Sequence, residues 1–253
     1  MTQAPRVVVR RFEAWAPGAR EGEPPLATRE DWAAWARAPV PLGHAGQPDV
    51  PFLPAGVRRR ATRLTRLALR VAFDCSEDAD RSAMRTVFAS RHGAIHVAVK
   101  ILASIAREEA VSPLQFSHSV HNAQAGLFSI AAGNRHASSS IAASEDTFGH
   151  GFLEALLHLE RAPDEPVLLV ACDEPLPSNL IHLIDEPETT YGVALLLARD
   201  GAGTPLEFGL APSHAPPKER GWPEALEFVR FLASEAPELA LESGRRRFWW
   251  RRG

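Results

Sequence analysis

Residues Phe116–Leu159 read FSHSVHNAQAGLFSIAAGNRHASSSIAASEDTFGHGFLEALLHL, and three elements are legible in them. Asn122-Ala123-Gln124-Ala125-Gly126 opens a helix that runs to about Ala132 and stops at Gly133, the residue type that closes helices in a left-handed conformation. Ala137–Ala143 follows as a strand of small and β-branched residues. The acidic pair Glu145-Asp146 comes next. Phe148, Phe152, Ala155, Leu156 and Leu159 then recur at helical spacing, which predicts a helix over Phe148–Arg161. A strand, a sharp turn and a helix N-terminus in succession form the place where α/β enzymes mount a nucleophile, because the helix dipole and its free N–H groups favour negative charge. Ser144 and Thr147 are hydroxyls at this turn, and His150, His118 and His121 are the nearby bases, to be weighed against the commoner structural role of such histidines.

Upstream, Val7–Trp15 alternates and is β-branched, a strand ended by Pro17-Gly18. Segment 17–54 is proline-rich and irregular. It is interrupted by a helix over Thr28–Arg37, with Thr28 as cap, and anchored by Trp32, Trp35, Phe52 and Leu53. Val57–Asp74 reads as one helix, with Leu64, Leu67, Ala68 and Val71 inward and six arginines (58, 59, 60, 63, 66, 70) that form either a solvated face or one turned to a partner or carrier. Thr86–Ser90 is a strand, Arg91-His92-Gly93 a turn, and Ile95–Glu109 a helix with Val99, Leu102, Ile105 and Ala106 at helical spacing.

Downstream, Pro166–Ala171 and Tyr191–Ala198 are continuous apolar runs of the kind buried in a parallel sheet. Strands alternating with helices predict an α/β sheet with helices on both faces. After Asp200 the pattern weakens: Gly201–Pro223 is Gly/Pro-rich and Pro223–Ala236 supports one amphipathic helix. Residues 1–200 are therefore expected to form the main domain, 201–244 a C-terminal extension with one helix, and 245–253 a basic aromatic tail.

With 253 residues and 45% hydrophobic content, the chain can bury a sizeable core. The two cysteines, Cys75 and Cys172, lie far apart in apolar segments and show no metal or disulfide spacing. A reduced, cytoplasmic setting, without cofactor or metal, fits. No signal peptide and no membrane span is read from the sequence. Five of the last nine residues are arginine, and without them the remaining chain carries −8 rather than −3. An acidic body argues against nucleic acid as partner, whereas RRRFWWRRG alone could make peripheral contact with phosphates, an anionic membrane surface or an acidic partner.

The central stretch resembles the N-terminal half of the β-ketoacyl synthases. In that family an Asn-Met-x-Ala-Gly helix start is followed 23 residues later by the nucleophilic cysteine. Asn122–Gly126 matches the helix start, Gly133-Asn134-Arg135 matches the turn after that helix, and the same count from Asn122 falls on Glu145. Glu145 is thus a degenerate nucleophile position, since a carboxylate cannot carry a stable thioester. Further pieces, Ser90–Gly93, Ser119–Asn122, Glu145–Phe148 and Asp173-Glu174-Pro175, bring residues 57–200 closest to the short chain-length-factor-type proteins of bacterial aryl polyene pigment synthesis.

The resemblance implies a thiolase-like half-fold, a mixed sheet lacking the second ketosynthase half. The histidines that this half contributes in the family have no counterpart here, and His214 is a lone loop residue. It implies a non-catalytic subunit that forms a heterodimer with a catalytic ketosynthase across Ala137–Ala143, shapes its acyl tunnel and meets acyl carrier protein indirectly. His121, Asn122, Phe128, Ser144, Asp146 and Phe148 are the expected tunnel or interface residues. Two alternatives stand beside it: an independent acyltransferase or hydrolase using Ser144, Glu145 and His150, and an adaptor that recruits a carrier protein or membrane through its arginines.

Overall fold

A computed structural model describes residues 4–184, 186–213, 220–243 and 245–253. In chain order the elements are β1 (Arg6–Trp15), α1 (Arg29–Arg37), α2 (Ala55–Arg60), α3 (Arg63–Cys75), β2 (Arg85–Ala89), α4 (Ile95–Ala106), α5 (Pro113–Ser119) and α6 (Ala123–Ala132), then β3 (Ser138–Ile141), α7 (Thr147–Arg161), β4 (Val167–Asp173), β5 (Tyr191–Ala198), β6 (Thr204–Pro212), α8 (Glu224–Leu232), β7 (Glu238–Glu242) and β8 (Arg246–Arg252). Among the described residues the strands make one mixed sheet in the order β3-β2-β4-β5-β1-β6-β8-β7. β2 runs parallel to β3 and β4, and the remaining pairings are antiparallel.

The strand period of two explains why the sheet has two cores. Along β4, Val167, Leu169 and Ala171 face α1, α7 and α8, where Trp32, Phe152, Leu159 and Phe228 fill the space. Leu168, Val170 and Cys172 face α3 and α6, against Leu64, Leu67 and Phe128. Both β4 and β5 are buried along their whole length, which is why they read as continuous apolar runs. β5, however, is antiparallel to β4 and β1 rather than part of a parallel set. Helix α1 begins as expected, with a capping box in which the Asp31 amide donates to Thr28 Oγ1 at 3.1 Å and Asp31 Oδ2 accepts from the Thr28 amide at 2.9 Å.

Three further sequence expectations are corrected. The single helix over Val57–Asp74 is two helices, because Ala61 is extended and Thr62 caps α3 by accepting from the Thr65 amide at 3.2 Å. The helix begun at Ile95 ends at Ala106, and Leu102 and Ile105 are exposed rather than inward. The Gly/Pro-rich segment after Asp200 contains β6, whose Leu206 and Phe208 are buried. His214 lies outside the described residues.

The largest correction concerns the tail. Residues Arg246–Arg252 are a strand between β6 and β7, with Phe248 and Trp250 fully buried in a cluster with Phe148, Phe152, Phe208 and Phe228. Its arginines are spent inside the chain. Arg247 pairs with Glu242, Arg251 with Glu238 and Arg246 with Asp146. Arg252 lies over the Phe231 ring and donates to the carbonyls of Phe231, Leu232, Ser234 and Ala236, so a cation satisfies the last turn of α8. The segment is a paired strand rather than a free arm. Trp250→Ala is expected to cost about 3–5 kcal/mol in urea unfolding, the usual range for a large aromatic truncated in a core. Deleting 245–253 should leave no cooperative transition.

Candidate functional site

The turn from β3 into α7 stands at the C-terminal ends of the parallel strands β2, β3 and β4, the rim where open α/β sheets hold ligands. Ser144 sits there with φ 55°, a left-handed conformation that non-glycine residues adopt at a cost of roughly 1–2 kcal/mol. Thr147 holds it. Its hydroxyl donates to the Ser144 carbonyl at 2.7 Å and accepts from the Ala143 amide at 3.0 Å, while the Asp146 amide donates to the Ala143 carbonyl at 3.1 Å. Ser144 is exposed, Glu145 is half-buried, and the Ser144 hydroxyl donates to Glu145 Oε2 at 3.0 Å.

The histidines do not complete a Ser/His/Glu arrangement. His150 Nδ1 donates to the Asp146 carbonyl of its own helix at 3.0 Å and its ring packs on Phe248. His121 Nε2 donates to the Ser90 carbonyl at 2.7 Å. His118 is buried, and desolvation lowers its pKa with a further push from Arg60. Nor is a thiolate at hand: burial raises the pKa of both Cys75 and Cys172, which lie in the core under α3 and β4.

Asn122 ends the segment before α6 and lines, with Ala125, Gly126, Ser129, Ser138 and Ser140, a groove of about 350 Å³ beside the edge strand β3. Phe128 and Phe148, expected as tunnel walls, are packed inside this chain. Phe128 lies between Phe73 and Phe88, and Phe148 lies against Phe228 and Trp250.

Several motifs that look independent in the sequence meet in space. The Asp173 carboxylate at the end of β4 accepts from Ser90 Oγ at 2.8 Å, the Arg91 amide at 3.0 Å, the His92 amide at 3.1 Å and Tyr191 Oη at 3.3 Å. Burial nonetheless raises its pKa, and that of Tyr191 with it. Gly93, with φ 55°, lies so close to the His121 ring that a Cβ would meet it at 3.0 Å. The Ser90–Gly93 turn, the Asp173 strand end and the His121 segment are thus one unit.

Residues that sequence reasoning missed reach the turn from the C-terminal region. Asp146, buried, faces Arg246 Nη1 of β8 at 3.3 Å, and its Oδ1 has no hydrogen-bond partner among the described residues. Asp146 provides no side-chain cap for α7, and the Gly149 amide instead donates to Glu224 Oε2 of α8 at 3.3 Å. Gly149 must be glycine for the approach, since a Cβ would meet the Phe248 ring at 2.7 Å. Glu224 also accepts from Arg220 Nη1 at 2.7 Å, and Arg220 and Arg91 both pair with Glu186. Desolvation pushes the Glu224 pKa up to about 8 despite Arg220, with the nearby Asp146 adding to the rise. In the sequence this region shows only an amphipathic helix over Pro223–Ala236, with nothing local to mark Glu224 or Arg220.

Among the described residues no group of three or more His, Cys, Asp or Glu side chains is placed to hold a metal ion, and no helix is long and apolar enough to cross a membrane.

A strand, a strained turn and a helix N-terminus on the rim of a β3-β2-β4-β5-β1 sheet define one thiolase-like half. The chain belongs to the family of the β-ketoacyl synthase N-terminal domain, whose model matches residues 32–251. No curated protein matches it by sequence. Among solved structures, a chain in the complex of the ketosynthase ApeO with its chain length factor ApeC from Xenorhabdus doucetiae is similar over 100% of both chains, at 27% identity and TM-score 0.79. The ishigamide ketosynthase/chain length factor follows at 17% identity and TM-score 0.58, over 81% of this chain and 67% of that one. A β-ketoacyl synthase from Burkholderia phymatum shares the fold at 12% identity and TM-score 0.60, over 84% and 65%.

The left-handed turn gives a direct test. Ser144→Gly is expected to be more stable than Ser144→Ala by about 1 kcal/mol in urea unfolding, because only glycine occupies that φ without cost.

Proposed function

We propose that this protein is a chain-length-factor-type subunit that pairs with a catalytic ketosynthase and shapes its acyl tunnel, without forming an acyl-enzyme itself. The observation that carries the reading is Glu145. It stands on a turn built like a nucleophile mount, while the two thiols of the chain are buried elsewhere with raised pKa values. The full-length likeness to a chain in a ketosynthase/chain-length-factor complex points the same way.

The edges of the sheet support β3 as the pairing strand. β7, at one end, carries Glu238 and Glu242, the charged guard that keeps an edge strand from pairing with another chain. β3, at the other end, is Ser-Ser-Ser-Ile, uncharged. The carbonyls of Ala137 and Ile141 accept from β2, so the alternation of a parallel ladder leaves the amides of Ser138 and Ser140 pointing away from the sheet. Those amides are the groups a partner strand would take. The carrier protein would then meet the complex through the catalytic subunit, in the cytoplasm.

Co-expression with a ketosynthase encoded beside it, followed by affinity capture and mass spectrometry, tests the pairing. A heterodimer is expected, and a chain that remains alone at micromolar concentration counts against it. Ser140→Pro removes one outward amide and none that β2 uses, so it should weaken the heterodimer at least tenfold while unfolding as cooperatively as the wild type. Incubation of the isolated chain with acyl carrier substrates should leave Ser144, Cys75 and Cys172 unlabelled. Stable acylation of Ser144 would favour the independent acyltransferase instead.

A further inference from the structure

Between β2 and α6 the chain leaves the sheet and returns to it at one place. Ser90 follows β2; its amide donates to the Ile141 carbonyl of β3 at 3.1 Å, and its carbonyl accepts from His121 Nε2 at 2.7 Å. Gly93 lies against the His121 ring. Residues 94–120 are therefore an arm whose two ends are clamped together beside the end of the edge strand β3. The arm is apolar and almost bare. Helix α4 reads IHVAVKILASIA with Lys100 as its one charge, and a helix apolar on all sides is ordinarily enclosed by other elements. Here α4 packs against α5 and α5 against α6, yet of the 12 residues of α4 and the 7 of α5 only Ile101 and His118 are buried. Leu102 is 64% exposed, Ile105 57% and Phe116 63%, with Leu114 and Val120 open as well. Exposed apolar surface on the order of several hundred Å² marks protein–protein sites.

We propose that the arm 94–120 is the second half of the surface that docks a catalytic ketosynthase: β3 sets the register of the two chains, and Leu102, Ile105 and Phe116 supply the apolar anchors. The inference rests on the subunit reading above. Area is the first argument. A specific complex covers about 800 Å² on each partner, and a strand of four small residues, Ser-Ser-Ser-Ile, offers only a small part of that. A partner that takes the Ser138 and Ser140 amides must therefore spread onto adjoining surface. Continuity is the second. The groove of Asn122, Gly126 and Ser129 leads from β3 onto α6, where Ile130 is exposed, α5 packs beside α6, and the base of the arm is hydrogen-bonded to the end of β3. Charge decides against a lipid surface. Lys100 and Arg107 are matched in number by Glu108 and Glu109, and Arg107 pairs with Glu109, so the arm presents no basic face to an anionic bilayer.

Calorimetric titration of the full-length chain with the co-encoded ketosynthase tests the arm. Leu102→Glu and Phe116→Ala, both at exposed positions, should unfold as cooperatively as the wild type and each weaken the complex roughly tenfold or more, as loss of an interface anchor does. Leu210→Glu, at an exposed apolar position five strands from β3 in the sheet, should leave the affinity unchanged. Arm variants that bind as tightly as the wild type overturn the inference and leave the subunit reading standing. A wild-type chain that does not bind the ketosynthase removes both. Self-association of the isolated chain, or its binding to phosphatidylglycerol vesicles, abolished by Leu102→Glu would assign the arm to a second copy or to a bilayer and overturn the proposal.

Discussion

The Asp173 carboxylate has almost no solvent, and four donors from two other segments converge on it. Hydrogen bonds to a charged acceptor contribute roughly 1.5–3 kcal/mol each, and without them the burial of the group would cost several kcal/mol. This one requirement fixes the end of β2, the end of β4 and the start of β5 against each other. The Ser90 amide in turn donates to the Ile141 carbonyl at the end of β3, and the Ser90 carbonyl accepts from His121 just before α6. The rim of the sheet, and the turn into α7 with it, therefore takes its geometry from a single buried anion.

β8 joins stability to the site. Phe248 and Trp250 complete the aromatic core over α7 and α8, and Arg246, two residues before Phe248, reaches Asp146 at the start of α7. The same packing dictates the glycine at position 149. A substitution in the C-terminal strands consequently reaches the turn without touching it, through the ring of Phe248 or the guanidinium of Arg246.

Much of this was legible in the sequence where the cause is local. Thr28 with Asp31, Gly133 after α6 and the apolar runs of β4 and β5 announce themselves within a few residues. The strand-turn-helix order around Glu145 was legible too, and Glu145 does lie on the turn between β3 and α7. What escaped is what depends on distant partners. β8 alternates Phe248 and Trp250 inward with Trp249 and its arginines outward, but the run is flanked by so many cations that it reads as a solvated arm until β6 and β7 are placed beside it. The break between α2 and α3 is set by one threonine cap inside an otherwise helical pattern. Glu224 and Arg220 come from a segment far along the chain and acquire meaning only through Gly149 and Asp146.

The position of β1 sets an order on assembly. It precedes both of its partner strands by nearly the length of the sheet-forming chain, yet it lies between them, pairing Val8 with Ala198 on one side and Val7 with Leu206 on the other. During synthesis at about 5–20 residues per second, the Val7-Val8-Val9 run waits roughly ten to forty seconds before its partners leave the ribosome. Native pairing for β1 thus comes late, as the middle of a sheet closing around it, and its β-branched run stays unpaired with β5 and β6 for that interval.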